Sequence, residues 1–170
     1  FLLMVGSMIS MSLYAPSLPV LETELNISPK LIQMTVVCYF FGFCISQLCY
    51  GPIANYYGRR PVIIFSLIVC CIGSVAVALS DGWPYLFIGR FIQGIGSGTL
   101  YNTSRALLCD VYERHELVRM QMPLSMTVLV TPMVAPLFGG HIEHYLGWRH
   151  SFWFLGSYFL MLLIVYVIFF

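Results

Sequence analysis

Charged side chains are scarce in this sequence. They make up 9% of its 170 residues, whereas soluble domains carry about 25%. No run of basic residues is longer than two and the net charge is only +1, which excludes the basic surface of a nucleic-acid-binding protein. Because 59% of the residues are hydrophobic and the mean hydropathy is +0.87, the composition predicts an integral membrane protein.

Motifs for metals, cofactors and catalysis are also lacking. None of the six cysteines forms a Cys-x-x-Cys pair, and all lie in or at the ends of apolar runs, so we interpret them as small buried hydrophobic residues: Cys38, Cys44, Cys49, Cys70, Cys71 and Cys109. A membrane enzyme would need a catalytic cluster, and His141, His144 and His150 have only Glu143 near them in the sequence. We therefore expect no enzyme, no metal and no cofactor.

Long apolar runs are what the sequence does contain. Six of them approach the length of a membrane-spanning helix, which predicts an all-α polytopic membrane protein with spans at about 1–20, 31–52, 61–80, 85–108, 121–141 and 150–170. Together they form one six-helix bundle over residues 1–170. Since apolar residues reach both ends of the sequence, we expect a fragment that continues through membrane helices on either side.

The polar stretch 51–60, GPIANYYGRR, organises the predicted topology. Gly51 and Gly58 would permit a tight reversal between spans two and three. The loops between spans two and three and between spans four and five contain five arginines in or next to them: Arg59, Arg60, Arg105, Arg114 and Arg119. The other loops contain only Lys30 and Arg149. This asymmetry predicts that the arginine-rich loops and the N-terminus are cytoplasmic.

Several motifs resemble those of one transporter family. The stretch 51–60 is similar to the Gly-x-x-x-Asp-x-x-Gly-Arg-Arg/Lys loop of the major facilitator superfamily, and residues 90–94, RFIQG, resemble its Arg-x-x-Gln-Gly element. Residues 135–140, APLFGG, look like the fifth-helix motif of its drug antiporters. More narrowly, four short segments resemble Bcr/CflA-type, bicyclomycin-resistance-like efflux transporters: 14–19, 33–35, 47–52 and 148–149.

The resemblance implies the N-terminal half of a twelve-helix fold with a three-plus-three inverted repeat, which works by alternating access against a C-terminal six-helix half. It implies proton-coupled efflux of small organic molecules or drugs across a bacterial inner membrane. Three residues depart from the family pattern: Asn55 and Ser12 stand where acids are usual, and Cys109 stands where arginine is usual. These departures keep three alternatives open: a facilitator without proton coupling, an importer of a small metabolite, and a truncated remnant that does not transport.

Arg90 is the leading site candidate, because a charge inside a membrane helix is costly unless it serves a function. We expect Arg90 and Gln93 to line the central cavity and Arg90 to hold a hydrogen-bond network, with Gln93 three residues on, that changes between transport states. The alternative is that Arg90 reaches the outer interface and pairs with Asp81. On helices expected to face the cavity, other polar, aromatic or methionine side chains could contact substrate: Tyr14, Tyr39, Gln47, Asn102, Met126 and Thr127.

Two further groups of residues carry conformational predictions. The first group would form a latch between the 51–60 loop and the end of span four; the alternative is that its charged residues are simply solvated. Its members are Gly51, Asn55, Gly58, Arg59, Arg60, Asp110 and Glu113. The second predicts a kink in span five: Pro132, Pro136, Gly139 and Gly140. Small residues at the spacings Gly94-x-x-x-Gly98 and Gly42-x-x-x-Ser46 predict close helix packing.

Overall fold

The computed structural model describes residues 1–24, 28–112 and 114–169, without the side chain of Arg114. These residues are almost entirely helical, and no strand occurs among them. The first predicted span corresponds to α1, a 3-10 turn and α2, and spans two to six correspond to α3 to α7. The elements are α1 (Leu2–Ser12), the 3-10 turn (Ala15–Ser17), α2 (Leu18–Glu24), α3 (Pro29–Tyr57), α4 (Arg59–Ala78), α5 (Trp83–Val111), α6 (Arg114–Leu146) and α7 (Trp148–Phe169).

The first span is broken, contrary to the continuous helix predicted over residues 1–20. Regular α-helix ends at Ser12 and resumes at Leu18, with a single 3-10 turn between them. Pro16 lies in that turn and has no backbone N–H to donate, so the helical ladder cannot continue through it. The break buries Tyr14, which is only 2% exposed.

Three of the other helices, α3, α5 and α6, are clearly longer than predicted, whereas α4 has the predicted length. Most of the expected loop 53–60 belongs to α3 and α4, while α6 absorbs most of the polar segments 110–119 and 142–149. Polar residues therefore mark where the hydrocarbon core would end, and the helices continue past that boundary. Only one glycine serves the reversal between α3 and α4: Gly58 has φ +83°, whereas Gly51 lies inside α3.

Five helical segments in the described part of the chain are long and apolar enough to cross a membrane. The helix that falls short is α5, which carries a buried arginine and glutamine together with several glycines and serines. This helix is also the one packed most extensively, with α3 and α4 against it and α1 on a further side. Its polar residues therefore face other helices rather than lipid.

Small residues set the distance between α3 and α5, as their spacing predicted. A Cβ on Gly42 would lie 2.5 Å from the Phe91 carbonyl oxygen, and one on Gly98 would lie 2.6 Å from the Phe43 carbonyl oxygen. A Cβ on Gly94 would collide with the carbonyl of Tyr39. Because each helix presents glycine to the backbone of the other, the two axes approach more closely than side chains would allow.

The hydrophobic core lies where α4, α7 and the broken first span meet. Trp148, Phe152 and Phe159 of α7 are no more than 1% exposed and pack with Leu67 of α4 and with Tyr14. Large apolar side chains elsewhere remain exposed, most densely along α6: Leu129, Met133, Leu137 and Phe138. An apolar exterior of this kind suits a bilayer or another helical surface rather than water.

Candidate functional site

Arg90 lies at the centre of the bundle. It is 1% exposed, and its Nη1 donates to Gln93 Oε1 at 2.8 Å and to the Ser10 carbonyl oxygen at 3.3 Å. Gln93 Nε2 in turn donates to Ser74 Oγ at 2.9 Å. One side chain on α5 is thereby connected to α1 and, through Gln93, to α4.

Aromatic rings enclose the same guanidinium. Its central carbon lies 4.1 Å from the centroid of the Tyr14 ring, 4.8 Å from that of Tyr39 and 5.6 Å from that of Phe152. Within the described residues no carboxylate forms an ion pair with Arg90. The buried charge is therefore stabilised by ring faces, a backbone carbonyl and an amide oxygen, in place of a counter-ion.

The hydroxyl groups around this cage extend the network. The Tyr14 hydroxyl lies 3.0 Å from Thr35 Oγ1, and the Tyr39 hydroxyl donates to the Ser7 carbonyl oxygen at 3.4 Å. Ser97 Oγ donates to Ser10 Oγ at 3.3 Å. These bonds join α1, α3, α4 and α5 and give a buried polar core in which most members have partners; Arg90 Nε has none among the described residues.

The predicted pairing of Arg90 with Gln93 is therefore confirmed, and the alternative pairing with Asp81 is wrong. Asp81 Oδ1 lies 3.6 Å from Nη2 of Arg149, with the Asp81 side chain 95% exposed. Arg90 instead points inward, because α5 is covered by its neighbours along that face. The sequence did not reveal that its charge would be met by three aromatic rings, one at the break in the first span, one on α3 and one on α7.

A second polar contact lies at one end of the bundle, where α4 begins and α5 ends. Arg59 forms a bidentate ion pair with Asp110, with Nη2 2.7 Å from Oδ1 and Nε 2.7 Å from Oδ2. A cation at a helix N-terminus and an anion at a helix C-terminus each interact unfavourably with the dipole of their own helix. The charge-assisted bonds between Arg59 and Asp110 offset both of these unfavourable interactions. Asn55 and Arg60 are exposed nearby in sequence, while Glu113 lies outside the described residues.

Three adjoining cavities open between α1, α3, α5 and α6. Their volumes are about 450, 360 and 300 Å³, and Arg105 lines all three. Gln47 and Asn102, both proposed from sequence, line the largest of them together with Met8 and Pro132. These amides, a cation and apolar side chains form the kind of mixed recess in which small organic molecules bind.

The remaining sequence candidates lie elsewhere. Four of them form the buried network and line none of the three cavities, so their contact with substrate stays a prediction: Tyr14, Tyr39, Arg90 and Gln93. Met126 is 65% exposed, the Thr127 hydroxyl donates to the Pro123 carbonyl oxygen at 2.9 Å, and neither lines the three cavities. Arg105 was counted only as a topology determinant. Its helical spacing from Tyr101 and Asn102 was the signal available, since residues three and four apart share a face.

Helix α6 runs without interruption through Pro132 and Pro136. Gly139 has a clear packing role: a Cβ there would collide with the carbonyl oxygen of Leu13, at the break in the first span. Gly140 is less constrained, with Pro16 4.0 Å from its hypothetical Cβ. The proline kink stays a prediction, whereas the glycine that accompanies it lets α6 approach the broken span.

This arrangement of spans and buried polar network has the fold of a helical membrane transporter. It superposes on the proton:xylose symporter bound to 6-bromo-6-deoxy-D-glucose with a TM-score of 0.84 and 17% identity, covering 98% of this chain and 43% of that one. A peptide transporter in complex with alafosfalin gives a TM-score of 0.82 and 17% identity, covering 98% and 36%.

The chain belongs to the major facilitator superfamily, whose sequence profile matches residues 1–170. It is 32% identical to multidrug resistance protein D of Escherichia coli (strain K12), over 91% of this chain and 39% of that protein. It is 27% identical to the bicyclomycin resistance protein homolog of Haemophilus influenzae, over 83% and 35%. The chain thus spans little more than a third of the length of these relatives, and it is an integral, multi-pass membrane protein.

Proposed function

We propose that this chain is the N-terminal six-helix half of a bacterial inner-membrane transporter that exports small organic molecules, including drugs, in exchange for protons. The observation that carries the proposal is the Arg90 network, which ties α1, α3, α4 and α5 into one body beside a set of mixed polar and apolar cavities. The names of the relatives support efflux of drugs as the activity.

Alternating access requires each half to move as a near-rigid unit around a central site. The glycine contacts between α3 and α5 and the buried bonds of Arg90 supply that rigidity here. The substrate would bind in the cavities between α1, α3, α5 and α6, which the C-terminal half would complete. Gln47 and Asn102 would position its polar groups, and the methionines of α1 would adapt to its apolar surface.

The Arg59–Asp110 pair is proposed to act as the latch of this half. It fixes the start of α4 to the end of α5 on the side that the arginine count assigns to the cytoplasm. Closure of this side favours the outward-facing state. Because Asn55 carries no charge, Asp110 supplies the carboxylate of the proposed latch and residue 55 adds no second one.

Proton coupling requires a protonatable group along the transport pathway. The described residues of the Arg90 network include no acid, and protonatable carboxylates are the usual relays in pumps. In an antiporter the coupling acid would therefore come from the C-terminal half. The second candidate function, a facilitator or importer without proton coupling, is favoured by the same observation.

Efflux from cells that express the full-length gene tests both candidates. Neutral, cationic and anionic fluorescent compounds would be followed out of loaded cells and into unloaded cells, with and without a proton uncoupler, against cells carrying an empty vector. Efflux that the uncoupler abolishes supports the antiporter, and transport that it leaves unchanged supports the facilitator. Transport of no compound in either direction would refute both and favour the non-transporting remnant.

A further inference from the structure

We infer that Arg105 is the anchor for a negatively charged group on the substrate, so that the transported compounds include small amphipathic organic anions such as aromatic carboxylates. The inference rests on the proposed function and narrows its substrate class. It starts from the one charged side chain that all three cavities share.

Arg105 is exposed in this half and lacks the partners that three other arginines have. Arg59 and Arg149 take part in ion pairs and Arg90 lies in its aromatic cage. The Arg105 side chain makes no hydrogen bond or ion pair with any residue that the structure describes. The nearest acid along α5 is Asp110, and Arg59 already occupies both of its oxygens.

The surroundings favour an anion over any other ligand. Among the described residues no acidic side chain lines the three cavities, so none of these residues offsets the positive charge of Arg105 there. A guanidinium binds a carboxylate through two parallel bonds, which gives orientation as well as affinity. Gln47, Asn102 and Gln121 add amide groups around it.

The rest of the recess is suited to an apolar body attached to that charge. Met8 and Met11 contribute flexible thioethers, and Phe43 and Tyr101 contribute ring faces, all in the largest cavity. Such side chains adapt to varied apolar ligands. In an aromatic carboxylate, the charged group would therefore bind Arg105 while the ring packs against these apolar side chains.

The competing source of a carboxylate is an acid of the C-terminal half, which would pair with Arg105 permanently. The two sources differ in their consequence. A permanent pair makes Arg105 necessary for every ligand, whereas a substrate anchor makes it necessary only for ligands that carry the charge. A matched pair of ligands separates them.

The experiment measures binding of salicylate and of its neutral analogue salicylamide to the purified full-length protein by titration calorimetry. Arg105→Gln is expected to weaken salicylate binding about tenfold or more, as loss of a charge-assisted bond implies, with a smaller loss in Arg105→Lys. Salicylamide binding should be the same in all three proteins. As a control, Arg119→Gln removes an exposed arginine that lines none of these cavities. It should leave the binding of salicylate and of salicylamide unchanged.

Three outcomes would overturn the inference: no binding of salicylate to the unmodified protein, equal salicylate binding in Arg105→Gln, or parallel loss of both ligands. The efflux assay keeps the two proposals apart. Export of neutral and cationic compounds without salicylate binding would refute the anion class alone. Failure to export any compound would refute the transporter while the binding result for Arg105 stands.

Discussion

The guanidinium carbon of Arg90 lies 4.1 Å from the centroid of the Tyr14 ring, on the face of a side chain that the broken first span turns inward. A desolvated cation over an aromatic face is worth about 2 kcal/mol. Since no carboxylate among the described residues neutralises Arg90, this ring and two others carry much of its stabilisation. The contact therefore couples the shape of the first span to the charge on α5.

Tyr14 can be dissected by two substitutions. Tyr14→Phe keeps the ring and removes the hydroxyl near Thr35, so we expect a loss of about 1 kcal/mol in stability. Tyr14→Leu also removes the ring from above Arg90 and should cost about 2 kcal/mol more. Thermal unfolding of the purified full-length protein gives the comparison, and equal effects of the two variants would contradict the cage.

Arg90 itself should tolerate no replacement. Arg90→Lys keeps the charge but cannot reproduce the planar geometry that reaches Gln93 and Ser10 while stacking on rings. We expect efflux of every substrate to fall by about an order of magnitude, the scale of one lost charge-assisted bond. Arg149→Lys, at an exposed pair, is the matched control and should retain activity. Normal efflux by Arg90→Lys at equal expression would contradict the proposed role.

The Arg59–Asp110 pair makes a prediction about exposure at the end of α5. Cys109 is exposed beside it and can be labelled in inside-out membrane vesicles by a membrane-impermeant maleimide, after the other five cysteines are replaced. Asp110→Asn should raise the labelling rate, because the latch loses its charge, and Asn55→Asp should lower it. Arg60→Gln, which leaves the Arg59–Asp110 bonds in place, serves as the control. No change in either latch variant would contradict the latch.

The α3–α5 contact can be tested with two glycines that differ in their surroundings. Gly98→Ala places a methyl group 2.6 Å from the Phe43 carbonyl oxygen and should destabilise the protein by about 1–3 kcal/mol. Gly51 lies in α3, but a Cβ there would have no atom within 4 Å. Gly51→Ala should therefore leave the stability of the protein unchanged or raise it by up to about 1 kcal/mol. Melting temperatures measured in detergent decide; equal destabilisation by both would argue against the close packing.

The sequence allowed the Arg90–Gln93 pair and the glycine contacts to be predicted, because both follow from local costs: a charge in a membrane helix needs a partner, and small residues four apart permit close approach. The order of the helical segments followed from apolar length, although α5 falls short of the apolar character of a spanning helix in the described part of the chain. The helix ends did not, since a change from apolar to polar residues marks the edge of the hydrocarbon region while α3 and α6 continue beyond it. Arg105 was missed because a cation near a helix end fits a topology rule equally well, and only the packing of four helices shows the cavities around it.

The polar character of α5 has a consequence for how the protein is made. A helix that carries Arg90 about two turns from its start, followed by Gln93 and several glycines, is a poor substrate for the insertion machinery, where an arginine at the centre of a span costs about 2.5–3.5 kcal/mol. The helices that cover this face of α5, α1, α3 and α4, are all synthesised before it. We therefore expect α5 to enter the bilayer against neighbours already in place, so that Arg90 leaves the translocon onto the rings of Tyr14 and Tyr39, and Phe152 of α7 completes the cage later.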